Sequence, residues 1–478
     1  VVLPTRIYLK PSPKTLEDTS MNKIFIPKGT YWGWSSLIAD HTQHPTFIPL
    51  FKPIKPIPPW TESQEWKRQR WHTIALPRYI YQPSESQNGL PPTKYLYPCK
   101  MGSIAITDPL FHPFRLGALT LKHRVILAPL TRMRAGKESE GVYVPNELNV
   151  EYYSQRASEG GFMLTEATPI SRHAAGYPGV PGIFSPSQIA GWKKVTDAVH
   201  AKGGYIYCQL WHVGRATVSS FIEGKEVLGV SNIPISGNAL DGSEYAASPP
   251  RAMTVQEIQD TVQEYAAAAK RAREAGFDGV EVHGANGYLL DQFLHDNVNT
   301  RTDEYGGSIK NRSRIILDVL KAVSSEIGAD RVGIRLSPYN YFQDTRDSNP
   351  NANWLALCTQ IASLPEESRP AYVHMVEPRF DEVMDEASKI DSLASDKPSL
   401  DVGGISFLAA GNFNVENVGA KLATGGADAV VFGRYFISNP DLPRRLKEGL
   451  PLAPYDRTTF YGAEPAEKGY TDYPFCGK

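Results

Sequence analysis

The sequence predicts a single (β/α)₈ TIM barrel with loop insertions, preceded by a proline-rich N-terminal extension. Three observations support this prediction. Eight short runs rich in Val, Ile, Leu and Phe alternate with longer amphipathic segments from about residue 124 onward, as in repeated βα units around a parallel sheet. Polar residues within these runs recur at every second position. Neither a GxGxxG nor a GxxxxGK[ST] phosphate loop occurs, which disfavours the doubly wound dinucleotide fold and the P-loop fold.

The first hundred residues differ in composition from the rest of the chain. They hold 15 of the 38 prolines and 5 of the 8 tryptophans in a sequence of 478 residues. Stretches such as KPIKPIPPW and GLPPTKYLYP show neither helical periodicity nor strand alternation, a pattern typical of extended or disordered chain. We therefore expect residues 1–100 to form an irregular or disordered extension, whose presence in the mature protein the sequence leaves open. Residues 101–478 are expected to form the barrel.

Charge and cysteine usage argue against several classes of partner. The formal net charge is −1 at pH 7, which gives no electrostatic reason to expect nucleic acid or an anionic membrane surface. The sequence has no apolar run long enough to span a bilayer, and its four cysteines are far apart with no CxxC pair. We expect a small-molecule partner, no metal site and a cytoplasmic location.

The eight predicted strands follow one another at the spacing of βα units. In chain order they are RVILAPLT, GFMLTEA, YIYCQLW, GVEVHGAN, VGIRLSP, AYVHMVEP, ISFLAAGN and AVVFGR. Helix candidates lie between them, and TVQEIQDTVQEYAAAAKRAREAG and KNRSRIILDVLKAVSSEIG have the clearest apolar periodicity. Eight such repeats predict a closed barrel.

Strand parity predicts which side chains face the barrel interior, because alternate residues of a barrel strand face the lumen and the surrounding helices. The predicted lumen residues on the third, fourth and fifth strands are Tyr207, Gln209, Trp211, Glu281, His283, Gly333, Arg335 and Ser337. Their polar members lie at or near the C-terminal ends of the strands. Barrel enzymes place their chemistry at that end.

The segment that follows the fourth strand carries the most specific motif. In VEVHGANGYLLDQFL, residues 280–294, a His, an Asn and a Tyr occur within six residues of one another in an otherwise apolar run. Together with PLTRMRA, EYYSQRAS, CQLW, NTRTDEYGGSIKNR, RLSPY, AAGNF, FGRYFISNPDLPRRL and DYPF, this stretch resembles the Old Yellow Enzyme family of FMN-dependent ene-reductases. The stretches TEATPISRHAAGYPGVPGIFS and CQLWHVGRA most resemble its fungal members. The resemblance extends from Asp108 to Phe475. It implies bound FMN, NADPH or NADH as reductant, and reduction of an alkene conjugated to a carbonyl group.

The resemblance also implies roles for the three polar residues. His283 and Asn286 would bind the carbonyl oxygen of the substrate, and Tyr288 would protonate its α-carbon. Two donors on one oxygen stabilise the enolate-like charge that develops as hydride arrives at the β-carbon. A phenol on the other side then supplies the proton. The alternative is that His283 is a hydrogen-bonded core histidine and that Tyr288 only packs.

By the same resemblance, residues from several strand ends contact FMN. Arg335 would stabilise the negative charge of the reduced ring at its N1/O2 edge, and Gln209 would bind the pyrimidine edge, while Thr131 and the Ala167 backbone lie near O4. A buried guanidinium needs an anionic partner, so the alternative for Arg335 is an internal salt bridge to Glu281 or another carboxylate of the barrel. The turns after the seventh and eighth strands match the usual phosphate site of a barrel. The phosphate candidates are Gly411, Asn412, Gly433 and Arg434.

Four aromatic residues are candidates for lining the substrate space over the flavin. They are Trp211, Tyr177, Phe342 and Tyr461, and the loop from Phe221 to Pro250 is a further candidate for the wall.

Other functions stay open at this point. A flavin-dependent isomerase of an unsaturated aldehyde or ketone in a fungal secondary-metabolite pathway would use the same motif, and a non-catalytic flavoprotein would leave it without a role. A non-flavin aldolase barrel would need a Schiff-base lysine or metal-binding carboxylates at the strand ends, and the sequence shows neither. The natural substrate, the choice between NADPH and NADH, and the choice between monomer and homodimer are also left open.

Overall fold

The computed structural model describes residues 108–377 and 397–477. The extension predicted for residues 1–100 therefore lies outside the described residues. Within the described ranges the chain forms an eight-stranded parallel barrel surrounded by helices, which confirms the predicted fold class.

Eight strands form the barrel, and each falls within one of the eight predicted runs. They are β1 (Val125–Leu127), β2 (Phe162–Leu164), β3 (Tyr205–Trp211), β4 (Gly279–Gly284), β5 (Val332–Leu336), β6 (Tyr372–Val376), β7 (Ser406–Ala410) and β8 (Ala429–Phe432). Each strand pairs in parallel with the next one along the chain. The barrel closes where β8 pairs with β1, with Val430 opposite Val125.

Helices follow the strands and cover the outside of the barrel. They are α1 (Glu147–Arg156), α2 (Pro186–His200), α3 (Val255–Glu274), α4 (Leu289–Leu294), α5 (Ile309–Arg312), α6 (Arg314–Ile327), α7 (Pro350–Ala362), α8 (Lys397–Val402), α9 (Val418–Ala423), α10 (Arg434–Ser438) and α11 (Leu442–Glu448). None of the helices in residues 108–377 and 397–477 combines the length with the apolar character that a bilayer crossing requires.

Helix α3 shows why the predicted helical segments form. The Thr254 hydroxyl accepts the backbone N–H of Glu257, and the Glu257 carboxylate accepts the backbone N–H of Thr254, so a capping box satisfies two donors at the helix start. Ile258, Val262 and Tyr265 then recur on one buried face. Helix α3 packs against α6, and both lie within the segments that the sequence predicts to be helical.

A β-hairpin closes the N-terminal end of the barrel. Its strands, Phe114–Leu116 and Leu119–Leu121, pair in antiparallel fashion. The Ala118 N–H donates to the Asp330 carbonyl oxygen at 3.0 Å, just before β5 begins. Gly117 at the turn has a φ of +54°, and a Cβ there would lie 2.0 Å from the same carbonyl oxygen, so this close approach requires glycine.

The side chains of the strands alternate between lumen and helices as predicted. Tyr207 packs in the lumen with Phe162 and Tyr372, and the rings of Phe162 and Tyr207 meet edge to face with centroids 4.9 Å apart. The opposite parity packs outward against the helices. These outward residues include Cys208, Leu210, Val280, Val282, Ile334 and Leu336. Because both faces of the sheet are covered, the strands are apolar on the outside and can carry polar groups only inside.

Loop insertions extend the barrel at its C-terminal end. Between β3 and α3, the short strands Leu228–Gly229 and Arg251–Ala252 pair in parallel. Between β1 and α1, Gly136–Ser139 and Val142–Val144 form a hairpin. Thr168–Pro169 continues the line of β2 and pairs with the end of β3.

Candidate active site

A cavity of about 700 Å³ lies at the C-terminal ends of the barrel strands. Fourteen of the fifteen predicted site residues line it: Thr131, Ala167, Tyr177, Gln209, His283, Asn286, Tyr288, Arg335, Phe342, Gly411, Asn412, Gly433, Arg434 and Tyr461. The structure thus brings together side chains from almost every strand end. Within residues 108–377 and 397–477, His, Cys, Asp and Glu side chains nowhere gather into a set of three that could hold a metal ion.

The turn after β4 sets the direction of the Asn286 side chain. Asn286 has a φ of +58° and Gly287 a φ of +73°, left-handed conformations that Asn and Gly tolerate best. The Asn286 N–H donates to Ser337 Oγ at 2.7 Å, and Asn340 Nδ2 donates to Asn286 Oδ1 at 3.1 Å. Because the side-chain carbonyl oxygen accepts this bond, the group that Asn286 offers to a ligand is its amide N–H.

His283 is held as a neutral hydrogen-bond donor. Burial, together with the nearby positive charge of Arg335, lowers the pKa of His283 well below its ordinary value. Its Nδ1 accepts the backbone N–H of Ala285 at 3.3 Å. A neutral imidazole that accepts at Nδ1 carries its proton on Nε2, so His283 lines the cavity with a donor.

Tyr288 belongs to a group of aromatic residues at the cavity wall. Its ring stands edge-on to those of His283, at 5.2 Å, and Trp211, at 4.9 Å. The Tyr177 hydroxyl forms hydrogen bonds with the hydroxyls of Tyr288 and Tyr245, and burial raises the pKa of Tyr177 well above its ordinary value. Among the described site candidates, Trp211 is the one that lies behind the cavity lining, where it is 1% exposed and packs against Tyr177 and Tyr288.

Gln209, which lines the cavity, is linked to two buried ionisable residues. It bonds directly to Glu281, and Glu281 in turn contacts His374. Gln209 Nε2 donates to Glu281 Oε1 at 2.8 Å, and Glu281 Oε2 lies 3.0 Å from His374 Nδ1. The Gln209 backbone N–H donates to Thr165 Oγ1 at 2.9 Å. Arg335 on β5 lies in register between His283 on β4 and His374 on β6. The polar lumen residues therefore form two neighbouring rows, Gln209 with Glu281 and His283 with Arg335 and His374.

Glu166 supports the loop that carries Thr131. Its Oε2 accepts the backbone N–H of Arg132 at 3.1 Å, and it directly precedes Ala167, another cavity residue. Burial raises the pKa of Glu166 to about 7. The hydrogen bond from Arg132 and its positive charge lower this pKa, but burial has the larger effect. No motif singles out this carboxyl group in the sequence.

Two arginines of the loop after β1 hold a distant segment of the chain against the cavity. Arg132 Nε donates to the Phe460 carbonyl oxygen at 3.0 Å and its Nη2 to the Gly469 carbonyl oxygen at 2.8 Å. Arg134 Nη2 donates to the Lys468 carbonyl oxygen at 3.0 Å. We call these two residues the arginine clamp. It holds the segment that brings Tyr461 to the cavity mouth.

Several lining residues carry no recognisable signal in the sequence. The insertion after β3, whose loop from Phe221 to Pro250 the sequence predicts as a candidate wall, contributes apolar and phenolic groups. The segment held by the arginine clamp contributes aromatic and cationic groups. These residues are Ile235, Leu240, Tyr245, Tyr455, Arg457 and Phe460. They lie in loops without periodicity, so only the folded chain shows that they share a cavity.

A sequence model described as the NADH:flavin oxidoreductase / NADH oxidase family matches residues 109–453, well over half of the chain. The chain belongs to this family. It is the Old Yellow Enzyme family that the sequence motifs resemble, and its members are NAD(P)H-dependent flavin oxidoreductases. This chain is therefore an enzyme of that class, with FMN as its cofactor.

Family relatives match almost over their whole lengths. The chain is 70% identical over 387 residues to flavin oxidoreductase hxnT of Emericella nidulans, a match of 79% of this chain and 100% of that protein. It is 43% identical over 371 residues to 12-oxophytodienoate reductase 2 of Arabidopsis thaliana, covering 77% of this chain and 95% of that protein.

Solved structures of the family show the same fold. Morphinone reductase in complex with tetrahydroNAD has 42% sequence identity and a TM-score of 0.68, covering 77% of this chain and 97% of that one. The old yellow enzyme homologue from Zymomonas mobilis has 40% identity and a TM-score of 0.70, covering 77% of this chain and 99% of that one.

The cavity of this family member fits FMN. Its lining combines apolar residues with the cationic side chains of Arg335 and Arg434, which suit an aromatic ring system that carries a phosphate. Within the described residues, no side chain caps helix α10 at Gly433, the arrangement in which an anion can take the place of a cap. Gly411 and Asn412, both with positive φ, form the neighbouring turn after β7.

Proposed function

We propose that this flavin oxidoreductase takes hydride from NAD(P)H and reduces the C=C bond of an α,β-unsaturated carbonyl compound. One observation carries the proposal. A neutral His283, the Asn286 amide and the Tyr288 phenol line the same cavity. Two neutral donors for one oxygen beside a phenol are the groups that conjugate reduction needs.

In this proposal His283 and Asn286 bind the substrate's carbonyl oxygen. Each offers an N–H group whose direction is fixed by a hydrogen bond on its other polar atom, from Ala285 and Asn340 respectively. Donors that are already oriented stabilise the developing enolate charge without reorganisation during the reaction. The neutral state of His283 matters because a neutral donor binds the carbonyl group without bringing a charge into the site.

Tyr288 supplies the proton to the α-carbon. Its hydroxyl shares a hydrogen bond with Tyr177, and its ring is fixed between His283 and Trp211. A positioned phenol that stays protonated at neutral pH can act as a general acid once negative charge builds on the substrate. Trp211 packs its ring against that of Tyr288 and thereby orients it. The sequence predicts a direct substrate contact for Trp211, and this packing role takes its place.

The remaining predicted residues hold the cofactor. When bound, FMN accepts a hydride from the nicotinamide and passes it to the substrate. Gln209, Thr131 and the Ala167 backbone would position its ring, and Arg335 would stabilise the negative charge of the reduced ring. The phosphate would be bound by Gly411, Asn412, Gly433 and Arg434. Phe342, Tyr177 and Tyr461 would line the substrate space.

Net reduction is the better supported outcome over isomerisation. Relatives at 43% identity and solved structures at 42% are named as reductases of 12-oxophytodienoate and morphinone. An isomerase would return the hydride to the molecule that supplied it, and a non-catalytic flavoprotein would give the His283, Asn286 and Tyr288 set no role.

The test is an anaerobic spectroscopic titration of the purified protein. We expect a yellow protein that releases FMN on heating, that loses its flavin absorbance when NADPH or NADH is added, and that regains it when 2-cyclohexenone is added. The enone product should be cyclohexanone. Arg335→Ala should bind the flavin more weakly or make it harder to reduce. A reduced flavin that 2-cyclohexenone and other enones fail to reoxidise would overturn the proposal.

A further inference from the structure

We propose that Glu281 is a positioning residue for the flavin, which fixes the orientation of the Gln209 side-chain amide and thereby decides which amide atoms meet the cofactor. This inference rests on the proposed assignment of Gln209 to the flavin. It extends the site downward, to a buried carboxyl group beneath the cavity that the proposed mechanism leaves without a role.

The contact between the two side chains is direct and fully buried. Glu281 and Gln209 are partners in the register of β4 and β3. Gln209 Nε2 donates to Glu281 Oε1 at 2.8 Å. Glu281 is 0% exposed and Gln209 is 1% exposed, and Gln209 lines the cavity. A hydrogen bond to a carboxylate in such a dry place is stronger than the same bond at the surface.

Glu281 is itself held from its other side. Its Oε2 lies 3.0 Å from His374 Nδ1, and His374 is also 0% exposed. Burial lowers the pKa of His374, which favours the neutral ring. Because a carboxylate only accepts hydrogen bonds, the neutral ring must carry its proton on Nδ1. Both oxygens of Glu281 therefore accept from fixed donors, and the carboxylate cannot turn away from Gln209.

The consequence for Gln209 follows from the chemistry of an amide. A primary amide can rotate by half a turn and exchange its carbonyl oxygen with its nitrogen, at little steric cost. An acceptor-only partner removes this choice, because only the nitrogen can face it. The carbonyl oxygen and the second N–H of Gln209 are then presented to the cavity as an adjacent acceptor and donor. This pair complements an imide edge such as that of the flavin pyrimidine ring.

The experiment measures the dissociation constant of FMN by dilution of the holoprotein and fluorescence of the released flavin. The variants are Glu281→Gln, Gln209→Ala and the two combined. Glu281→Gln keeps the size of the side chain but can face Gln209 with either amide atom. We expect it to weaken FMN binding by about tenfold to a hundredfold, the range for losing a hydrogen bond to a charged partner.

The double variant tests whether Glu281 acts through Gln209. If it does, Glu281→Gln should add less than about twofold in the Gln209→Ala background, because coupled residues are not additive. If Gln209→Ala alone leaves the dissociation constant unchanged, the assignment of Gln209 to the flavin fails, and with it this inference. If Gln209→Ala weakens binding but Glu281→Gln adds its full effect, only the positioning role of Glu281 fails.

A control and an exchange variant exclude a general packing defect. Tyr207→Phe removes a buried hydroxyl group from the same lumen, two residues before Gln209 on β3, and should change FMN affinity by less than about twofold. The exchange variant Gln209→Glu with Glu281→Gln keeps one carboxylate facing one amide, but presents the carboxylate to the flavin. It should bind FMN at least about tenfold more weakly than the wild type. Wild-type affinity in the exchange variant, or an equal loss in Tyr207→Phe, would overturn the proposal.

Discussion

The two halves of the barrel lumen share the same strands and the same parity, but their side chains differ in kind. In the N-terminal half, Phe162, Tyr207 and Tyr372 fill the interior with aromatic rings above the closing hairpin. Two residues further along their strands, roughly 6 to 7 Å higher, Tyr207 gives way to Gln209 and Tyr372 to His374. On these two strands the lumen side chains therefore change from aromatic to polar between one lumen-facing residue and the next.

The difference shows that two properties of a strand position, its parity and its height in the barrel, determine the role of the side chain. Parity decides whether the side chain faces the lumen or the helices, and height decides whether a lumen residue packs or reacts. Phe162, Tyr207 and Tyr372 do not line the cavity, so they contribute burial and ring packing. The upper half adjoins the cavity, so its polar groups are oriented toward a ligand. Changes in the upper half should alter chemistry or the pH dependence set by its ionisable groups, and changes in the lower half should alter stability alone.

The largest effect is expected from Tyr288→Phe. Losing a positioned general acid typically costs on the order of 10² to 10⁴ in rate, or about 3 to 5 kcal/mol of barrier. Stopped-flow reoxidation of the reduced flavin by 2-cyclohexenone should slow by that factor. Reduction by NADPH and reoxidation by a quinone need no proton on carbon and should barely change. Enone reoxidation at the wild-type rate would show that Tyr288 is not the proton donor.

His283→Ala should have the next largest effect. Removing one of two donors to a developing oxyanion costs about 10² to 10³ in rate. Binding of a phenol, followed by titration of the flavin absorbance, should weaken as well, whereas Tyr288→Phe should leave more of this binding intact. The comparison fails if His283→Ala binds phenol as the wild type does and turns over the enone normally.

Glu166→Gln should remove a pH dependence of stability that comes from the upper half. The pKa of Glu166 is raised to about 7 by burial, above its value of about 4.3 in an unfolded chain. The folded state therefore holds a proton that the unfolded state releases, and the free energy of unfolding falls as the pH rises from about 4.5 to about 7, by on the order of 3 kcal/mol.

Melting temperatures at pH 5 and pH 8 measure this dependence. The difference between the two should be smaller in Glu166→Gln than in the wild type. Glu326→Gln, a substitution of an exposed glutamate on α6, should keep the wild-type difference. An unchanged difference in Glu166→Gln would show that this carboxyl group does not take up a proton on folding.

A substitution in the lower half should act on stability alone. Phe162→Leu removes an edge-to-face ring contact with Tyr207 at 4.9 Å and another with Tyr372 at 6.1 Å. We expect a loss of about 1 to 2 kcal/mol in the free energy of unfolding. FMN affinity and enone turnover should stay at wild-type values. A variant that folds well but loses flavin would show that the two halves are coupled.

Removal of residues 1–100 should have the smallest effect. Every lumen and cavity residue placed above lies between Leu116 and Tyr461, so a chain that begins at Met101 should retain both halves of the lumen. Flavin content, turnover and melting temperature are compared with those of the full chain. Insolubility or loss of flavin in the shortened chain would place the extension within the fold and move our domain boundary.

The sequence was sufficient to predict the barrel because local patterns determine it. All eight strands lie within the predicted runs, and α3 and α6 lie within the predicted helical segments. Alternation within a strand also placed Gln209, Glu281 and His283 on the inside, and the same rule applied to AYVHMVEP would have placed His374 beside them. These residues need only the pleat of their own strand to be located.

The walls of the cavity were harder to predict because they depend on loops. Tyr245 and Phe460 reach the cavity from segments without periodicity, and their positions are set by contacts with distant parts of the chain. Trp211 shows the limit of parity itself. It ends β3 opposite Pro169, and its ring packs behind Tyr177 and Tyr288 instead of facing the cavity directly.

The arginine clamp has a consequence for how the enzyme is made. Arg132 and Arg134 reach carbonyl oxygens that follow them by 325 to 337 residues. A ribosome must therefore synthesise the whole barrel before these guanidinium groups meet their acceptors. Until then the loop that carries Thr131 has its hydrogen bond to Glu166 but lacks the contacts of the clamp, and the segment that carries Tyr461 has not yet been synthesised. Loading of the flavin thus belongs to the end of biosynthesis, after the last strand has closed the barrel.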